Sequence, residues 1–313
     1  MREYREFTMK RIMVATDFSD VSYVASSYAK QLAKCFAAKV LLVHIVNNEQ
    51  TTHQKETSIS SLPEHMDTAE AEMQRMASAF SYDDVLCSVI MRTGQIRQTI
   101  LDLIKERDVD LLVVGTHGKG HKHGEELGSV AETLLRAAPC PVLTVSKCVR
   151  LDACENTHER SVLFPTDFSE PSHAVLPYAE SLVRYLGGRM LLLHVDEKQT
   201  SSHKEEFQAL MKEMKYPTIV SESITRLGCP ADAVVAVSTE KHVDFIVMGV
   251  HGADQAGKAH NYGTAFDVIR RAKCPVFTLF TQYKDKTDEK PQEEMTEAEE
   301  FQLQQQRLAV HHS

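Results

Sequence analysis

Four segments of the first half of this chain recur in its second half, in the same order. The members of the first two pairs lie 150 residues apart, whereas those of the last two pairs lie 134 residues apart. The first half therefore carries extra residues between the second and third segments, where the Ser/Thr-rich stretch 51–61 predicts a mobile excursion. A duplication of this kind predicts two domains of one fold. The pairs are RIMVATDFSD (11–20) with SVLFPTDFSE (161–170), KVLLVHIV (39–46) with RMLLLHVD (189–196), VDLLVVGTHG (109–118) with VDFIVMGVHG (243–252), and APCPVLTV (138–145) with AKCPVFTL (272–279).

Short apolar runs of strand length alternate with longer segments of helical period in each half. This alternation is typical of βαβ units, in which helices cover both faces of a parallel sheet. The sequence therefore predicts an α/β fold of two tandem doubly wound, Rossmann-like parallel sheets with five strands each. The strands predicted for the first half are 11–15, 40–46, 85–91, 110–114 and 142–145.

The polar stretch between the two repeats marks the predicted domain boundary. We expect a first domain over residues 1–147, a linker over 148–160 and a second domain over 161–282. Residues 283–313 are rich in Glu and Gln, which predicts a solvated acidic tail with a marginal helix. Such a tail is either disordered or docks on a partner protein, and the sequence leaves both open.

Composition excludes several classes of function. The chain is 42% hydrophobic and 25% charged, which is the composition of a globular protein. Its formal net charge of -9, with scattered basic residues, argues against binding to nucleic acid. No apolar run reaches the roughly 18 residues of a membrane-spanning helix, and no secretory signal is present at the start, so we expect a cytoplasmic protein. An odd number of cysteines, seven, argues against a disulfide framework.

A glycine-rich stretch in the first half has the spacing of a phosphate-binding loop. Gly115 is followed by Gly118 after two residues, and by Gly128 and Ser129 after nine more, between a predicted strand and a predicted helix. Glycines let backbone amides approach phosphates, and a helix N-terminus favours anions. Ser129 fits either as the helix N-cap or as a hydroxyl donor to a phosphate. Asp17, just past the first strand, belongs at the same sheet edge, where ligands of such folds bind.

Three motifs together resemble the ATP-binding class of the universal stress protein family, of adenine nucleotide alpha hydrolase type: Thr-Asp-Phe-Ser after the first strand, Leu-Val-His in the second, and Gly-x2-Gly-x9-Gly-Ser before the last helix. The resemblance covers residues 9–280. It implies ATP with Mg2+ as the cofactor. The residues implied to contact adenine and ribose are Ala15, Thr16, Asp17 and Ile45, those lining ribose and phosphates are Val114, Gly115 and Gly118, and those holding the distal phosphates, with Gly128, are Ser129 and Val130.

The second half keeps much of this pattern but departs from it in the loop. Gly252 and Gly263 are separated by ten residues instead of nine. A gap aligns Gly263 and Thr264 with Gly128 and Ser129, whereas the alignment without gaps puts Tyr262 and Gly263 there. Whether the second half binds a nucleotide therefore stays open. Its candidate residues are Pro165, Thr166, Asp167, Val195, Met248, Gly249, Gly252, Gly263 and Thr264.

Histidines are the candidate metal ligands of this chain, and we assign no metal site to them. His44 and His194 lie within apolar strands, which favours core histidines with one hydrogen bond each. Imidazole suits zinc and nickel, yet a polar phosphate loop explains the remaining histidines equally well. These are His117, His121 and His123, with His251 and His260 as partial counterparts.

Three functions fit the sequence. The first is a regulatory protein in which ATP occupancy changes the loop and the surface offered to an unknown protein partner. The second is an enzyme with adenylyl transfer or weak ATPase activity, but the P-loop spacing Gly-x4-Gly-Lys-Ser/Thr is missing and no general base stands out; slow hydrolysis or autophosphorylation stays open. The third is a scaffold that binds no triphosphate. The duplication itself predicts an intramolecular pseudo-dimer through the last strands, monomeric or paired again as a homodimer.

Overall fold

The strands of both halves of the chain form one sheet. The structure is a computed structural model that describes residues 7–47, 61–116, 127–149, 159–196, 203–251 and 263–281. Within these ranges the sheet has ten strands, in the order β3-β2-β1-β4-β5-β10-β9-β6-β7-β8, numbered along the chain.

Helices and strands alternate along the chain, as the hydrophobic pattern predicts. The elements of the first half are β1 (Arg11–Ala15), α1 (Asp20–Phe36), β2 (Lys39–Asn47), α2 (Ser61–Ser81), β3 (Cys87–Gly94), α3 (Ile96–Glu106), β4 (Leu111–Gly115), α4 (Ser129–Ala137) and β5 (Val142–Val145). Those of the second half are β6 (Ser161–Pro165), α5 (Glu170–Leu186), β7 (Arg189–Asp196), α6 (Lys204–Glu213), a 3-10 turn (Pro217–Ile219), β8 (Val220–Leu227), α7 (Pro230–Glu240), β9 (Phe245–His251), α8 (Gly263–Arg271) and β10 (Val276–Thr281). All five predicted strands of the first half are present, with ends within three residues of the prediction.

Each half has five parallel strands, and the halves join through their last strands. β5 and β10 pair antiparallel, with Leu143 opposite Phe277. Buried hydroxyls add two symmetric hydrogen bonds, from Thr144 Oγ1 to the carbonyl of Val276 (3.1 Å) and from Thr278 Oγ1 to that of Val142 (3.2 Å). The predicted fold class is confirmed, and the two five-stranded sheets are continuous in the arrangement expected of an intramolecular pseudo-dimer.

Helices cover both faces of the sheet, and each face has a core that draws residues from both halves. One core contains aromatic contacts between the halves, in which Tyr28 of α1 lies edge-on to Phe245 of β9 at 5.9 Å between ring centroids; within the second half, Tyr178 of α5 packs on Phe277 at 5.9 Å. Phe7, ahead of β1, reaches Tyr178 at 4.4 Å. The cores are therefore shared, and both halves belong to one compact unit.

Most of the predicted linker and of the Ser/Thr-rich excursion, and the whole predicted tail, lie outside the described residues, and the domain boundaries stay a prediction. Among the described helices, none is both long and apolar enough to cross a membrane.

An aspartate at the start of β4 and of β9 holds the neighbouring first strand of each half. Asp110 Oδ2 accepts from the backbone amides of Lys10 (2.8 Å) and Arg11 (2.9 Å). In the second half, Asp244 Oδ2 accepts from the amide of Ser161 (2.8 Å), and its Oδ1 accepts from Arg160 Nη1 (2.7 Å). The Asp244 side chain is only 4% exposed, so this clasp is buried.

We predict that Phe277→Ala lowers the free energy of unfolding by about 3–5 kcal/mol, because it empties a fully buried aromatic position at the junction of the halves. Denaturant unfolding followed by circular dichroism measures this value. Wild type should unfold in a single transition, since the cores are shared. Tyr82→Ala is the matched control: its side chain is 92% exposed, so a change within about 0.5 kcal/mol is expected. Two well-separated wild-type transitions would contradict the shared cores.

Asp244→Ala should destabilise the protein by about 3–5 kcal/mol in the same assay, because it leaves the guanidinium of Arg160 and the amide of Ser161 buried without this acceptor. Asp232→Ala removes the exposed ion pair with Arg271 and should cost about 0–1 kcal/mol. Equal effects of the two substitutions would show that the Asp244 clasp adds nothing beyond a surface ion pair.

Candidate functional site

The carboxyl ends of β1, β2 and β4 meet at one sheet edge, where β1 lies between the other two strands. This is the topological switch point, because the chain runs from β1 to β2 and β3 on one side and then returns to β4 on the other. Backbone hydrogen bonds extend the sheet one residue past the strands, from the amide of Thr16 to the carbonyl of Val43 (2.9 Å) and from Thr116 to Val145 (2.9 Å). The turn after β1 and the N-terminus of α4 are therefore fixed on the sheet end.

The Thr-Asp-Phe-Ser turn after β1 is held by its own side chains. Thr16 Oγ1 accepts from the amide of Phe18 (3.1 Å), and Asp17 Oδ1 accepts from the amide of Ser19 (3.1 Å). Ser19, and not Asp17, is the N-cap of α1, since its hydroxyl oxygen accepts from the amide of Ser22 (3.3 Å). Asp17 is thus a turn residue, half-buried at the sheet edge.

Phe18 has a φ of +60° and its counterpart Phe168 a φ of +61°, in the left-handed region. A bulky residue there carries strain of order 1–3 kcal/mol, which persists only where the surroundings hold it. Each ring packs on the following strand's histidine, at 4.4 Å from His44 and 4.7 Å from His194. Both halves therefore keep the same strained turn.

The two histidines fasten the turn to the second strand of each half. His44 Nδ1 lies 2.8 Å from the carbonyl oxygen of Thr16, and His194 Nδ1 lies 2.9 Å from that of Thr166. Both imidazoles are half-buried and make the single hydrogen bond that their position in an apolar strand predicts.

The turn of the second half differs at its carboxylate. Asp167 Oδ1 accepts from the amide of Ser169 (3.0 Å) and from the hydroxyls of Ser169 (2.5 Å) and Ser172 (2.5 Å). Asp167 is also exposed, whereas Asp17 is half-buried. The carboxylate that the resemblance assigns to the nucleotide is thus more occupied by its own turn in the second half.

Gly128 is required where α4 begins. Its amide donates to the carbonyl of Thr116 (2.8 Å), and a Cβ built on it would lie 2.9 Å from that oxygen, closer than real Cβ atoms approach. Gly128 itself is the N-cap, so the N-cap alternative for Ser129 is wrong; Ser129 is the first helical residue. The first-turn amides of α4 thus start directly above the end of β4, the geometry that favours an anion.

Arg97, which the sequence reasoning missed, reaches this helix start. Its Nη2 donates to the hydroxyl of Ser129 (3.0 Å) from the first turn of α3. No repeat marks this residue, because the position 134 residues further on is Ala231. The hydroxyl of Ser129 therefore lies at the sheet edge with a guanidinium beside it.

The second half follows the alignment without gaps. α4 and α8 end at equivalent residues, Ala137 and Arg271, and the strands around them pair at the same offset of 134, Leu112 with Val142 and Ile246 with Val276. Gly263 consequently takes the place of Ser129 and Thr264 that of Val130, so the gapped alignment of these two glycines is wrong. The place of Gly128 falls to Tyr262, outside the described residues.

The other predicted residues lie where the strands end. Ala15 and Gly115 are the last residues of β1 and β4, Ile45 is buried near the end of β2, and Val114 is buried in β4. Their second-half counterparts are Pro165 at the end of β6, Val195 in β7, and Met248 and Gly249 in β9. Gly118, Gly252 and most of the loop histidines fall outside the described residues, as does the side chain of His251. Within the described residues, no three His, Cys, Asp or Glu side chains form a group that could hold a metal ion.

A second-half cluster that the sequence analysis did not single out lies at the end of β7; at the offset of 150, His203 and Glu206 correspond to His53 and Glu56. His203, with a φ of +43°, caps α6, and its Nε2 lies 3.1 Å from Asp196 Oδ2. Glu206 Oε1 lies 3.4 Å from the other ring nitrogen, and the ring of His194 is 4.3 Å away. The hydrogen bond to Asp196 raises the pKa of His203 above its ordinary value, aided by the charge of Glu206.

The family comparison matches both repeats. The model of the universal stress protein family matches residues 8–146 and again residues 159–279, most of the chain. The chain belongs to the universal stress protein family.

Other universal stress proteins resemble single halves or the whole chain. One from Methanocaldococcus jannaschii is 32% identical over 143 residues, covering 44% of this chain and 82% of its own length. One from Synechocystis is 21% identical over 302 residues, covering 87% of this chain and all of its own length. A crystal structure from Archaeoglobus fulgidus, at 22% identity, matches 88% of this chain and 99% of its own with a TM-score of 0.70, which shows the tandem fold.

We predict that Asp196→Asn lowers the pKa of His203, because it removes the strongest interaction that favours the imidazolium. NMR titration of the imidazole measures the shift. A raised pKa stabilises the folded state fully below about pH 6.5, and that contribution is lost as the pH rises through the folded-state value. The stability difference between wild type and Asp196→Asn should therefore shrink over that window.

Glu222→Gln is the control for this titration, because it removes an exposed carboxylate paired with Lys241 in the same half. It should leave the His203 titration in place. A pH-independent difference between wild type and Asp196→Asn would show that the carboxylate stabilises the fold without His203.

Proposed function

We propose that this universal stress protein is a regulatory protein that binds ATP with Mg2+ in its first half. The observation that carries the proposal is the start of α4, where Gly128 packs on the carbonyl of Thr116 and the next amides, of Ser129 and Val130, open the helix at the switch point. Unpaired N–H groups and the helix dipole at such a start favour phosphate.

The remaining contacts follow from the sheet edge. Asp17 and Ile45 flank the end of β1 and would hold ribose and adenine, while Gly115 lies at the end of β4, where a Cβ would come within 3.0 Å of Val21 Cγ1. The backbone is therefore close-packed beside the proposed phosphate path. Mg2+ would neutralise part of the phosphate charge; we assign it no protein ligand.

We assign the second half a diverged site. It keeps the strained turn around Phe168, but Gly263 offers no hydroxyl where the first half has Ser129, and Asp167 is engaged by two serine hydroxyls. One nucleotide per chain is therefore the expected stoichiometry.

A regulatory role is favoured over catalysis by the engagement of the candidate bases. Asp17 accepts from its own turn, and His44 bonds the carbonyl of Thr16 while its ring packs on Phe18, so both side chains have a structural role in the turn. The signal would then be nucleotide occupancy itself, passed to a protein partner. Cytoplasmic location is part of this proposal.

The test is calorimetric titration of the full chain with ATP and Mg2+, beside Gly128→Ala and Gly263→Ala. The added methyl in Gly128→Ala meets the carbonyl oxygen of Thr116 at 2.9 Å, so the helix start must shift and ATP affinity should fall at least about tenfold. A methyl at Gly263 meets no described atom within 4 Å, and the strain that a φ of +25° puts on a side chain falls on α8 in the second half, so Gly263→Ala is the control and should bind ATP like wild type.

Thermal unfolding of each variant verifies that it is folded. Absence of wild-type binding at millimolar ATP would sink the proposal and favour the scaffold function, and equal losses in both variants would place nucleotide in both halves. Formation of ADP during the titration would show that the protein hydrolyses ATP slowly.

A further inference from the structure

Arg97 brings a positive charge to the proposed phosphate end of the first site. It lies in the first turn of α3, and its guanidinium donates to the hydroxyl of Ser129 at 3.0 Å. Its side chain is exposed, so the guanidinium borders solvent rather than the core.

The described acids of α3 and α4 do not neutralise this charge. Among the described residues, no carboxylate lies within ion-pair distance of Arg97. The nearest acids along the two helices have other partners: Asp102 accepts from Gln98 (2.8 Å), and Glu132 pairs with Arg136 (3.1 Å). The guanidinium thus keeps donors for an anion at the start of α4.

Both members of the Arg97–Ser129 pair are missing from the second half. At the same offset of 134, Arg97 corresponds to Ala231, which is buried, and Ser129 corresponds to Gly263. The first turn of α7 instead carries Asp232, which pairs with Arg271 at 2.7 Å. The halves therefore share the turn after the first strand but differ in charge at the helix start.

We infer that Arg97 is a specificity-determining residue of the first half, which selects adenine nucleotides with distal phosphates over adenosine monophosphate. This inference rests on the proposed function. The first-turn amides of α4 are proposed to hold the distal phosphates, and the guanidinium beside Ser129 adds two parallel N–H groups for the oxygens of those phosphates. A nucleotide with one phosphate leaves that fork unused.

The hydroxyl of Ser129 holds the guanidinium in place before a ligand arrives. A positioned side chain loses less rotamer freedom on binding than a free one, which favours affinity. Lysine in this place would bring the charge without the planar fork, so charge and geometry are separable by substitution.

The test is calorimetric titration of the full chain with Mg-ATP and, separately, with AMP, using Arg97→Ala, Arg97→Lys and Arg107→Ala. Arg97→Ala should weaken ATP binding about tenfold, which corresponds to about 1.4 kcal/mol, and change AMP binding less than about twofold. Arg97→Lys should retain part of the ATP affinity. Arg107→Ala, at the other end of α3 and paired with Glu106, is the matched control and should bind like wild type.

The results separate this inference from the function on which it rests. Wild type that binds neither nucleotide overturns both. Wild type that binds ATP, with Arg97→Ala unchanged or with ATP and AMP weakened equally, overturns the role of Arg97 and leaves the nucleotide site standing. Raising the salt concentration should weaken ATP binding more in wild type than in Arg97→Ala, because an exposed charge pair is screened.

Discussion

The antiparallel pairing of β5 with β10 is the contact on which the rest of the structure depends. It turns two five-stranded parallel sheets into one, and the hydroxyls of Thr144 and Thr278 reinforce it across the junction. Because the sheet is continuous, the cores on its two faces are continuous as well, and the ring pairs Tyr28–Phe245 and Phe7–Tyr178 pack between the halves. The sheet edges that carry the two candidate sites are thereby held by one folded unit.

The sequence predicts the fold well because its hydrophobic pattern is local and occurs twice. The observed strand ends of the first half lie within three residues of the predicted ones. The turns after β1 and β6 have the same sequence pattern and nearly the same positive φ, at Phe18 and Phe168. The sequence alone could not decide whether Gly263 corresponds to Gly128 or to Ser129, because the extra residue of the second-half loop allows both alignments. The offset between the helices and strands around the loop decides it. Arg97 carried no signal, since it does not recur and contacts a residue distant in sequence, and the partners of His203 are set by how the chain leaves β7.

The two halves differ most where a ligand's charge would lie. Both keep the strained turn and its histidine, the features that shape the ends of β1 and β6. The first half adds Gly128, Ser129 and Arg97 at the start of its last helix, whereas the second half has Gly263 and Ala231 and holds its turn carboxylate with serines. The common frame thus carries one end that is a candidate for phosphate binding and one altered end.

The covalent link between the paired strands changes what a mutation does. In a dimer of two identical chains, every substitution appears at both sites, so a residue that improves one site is imposed on the other. Here the strands β5 and β10 are coded separately, and Ser129 can persist while glycine occupies position 263. Tandem fusion therefore converts a symmetric assembly into one whose halves evolve independently at a fixed one-to-one ratio, with no exchange of subunits.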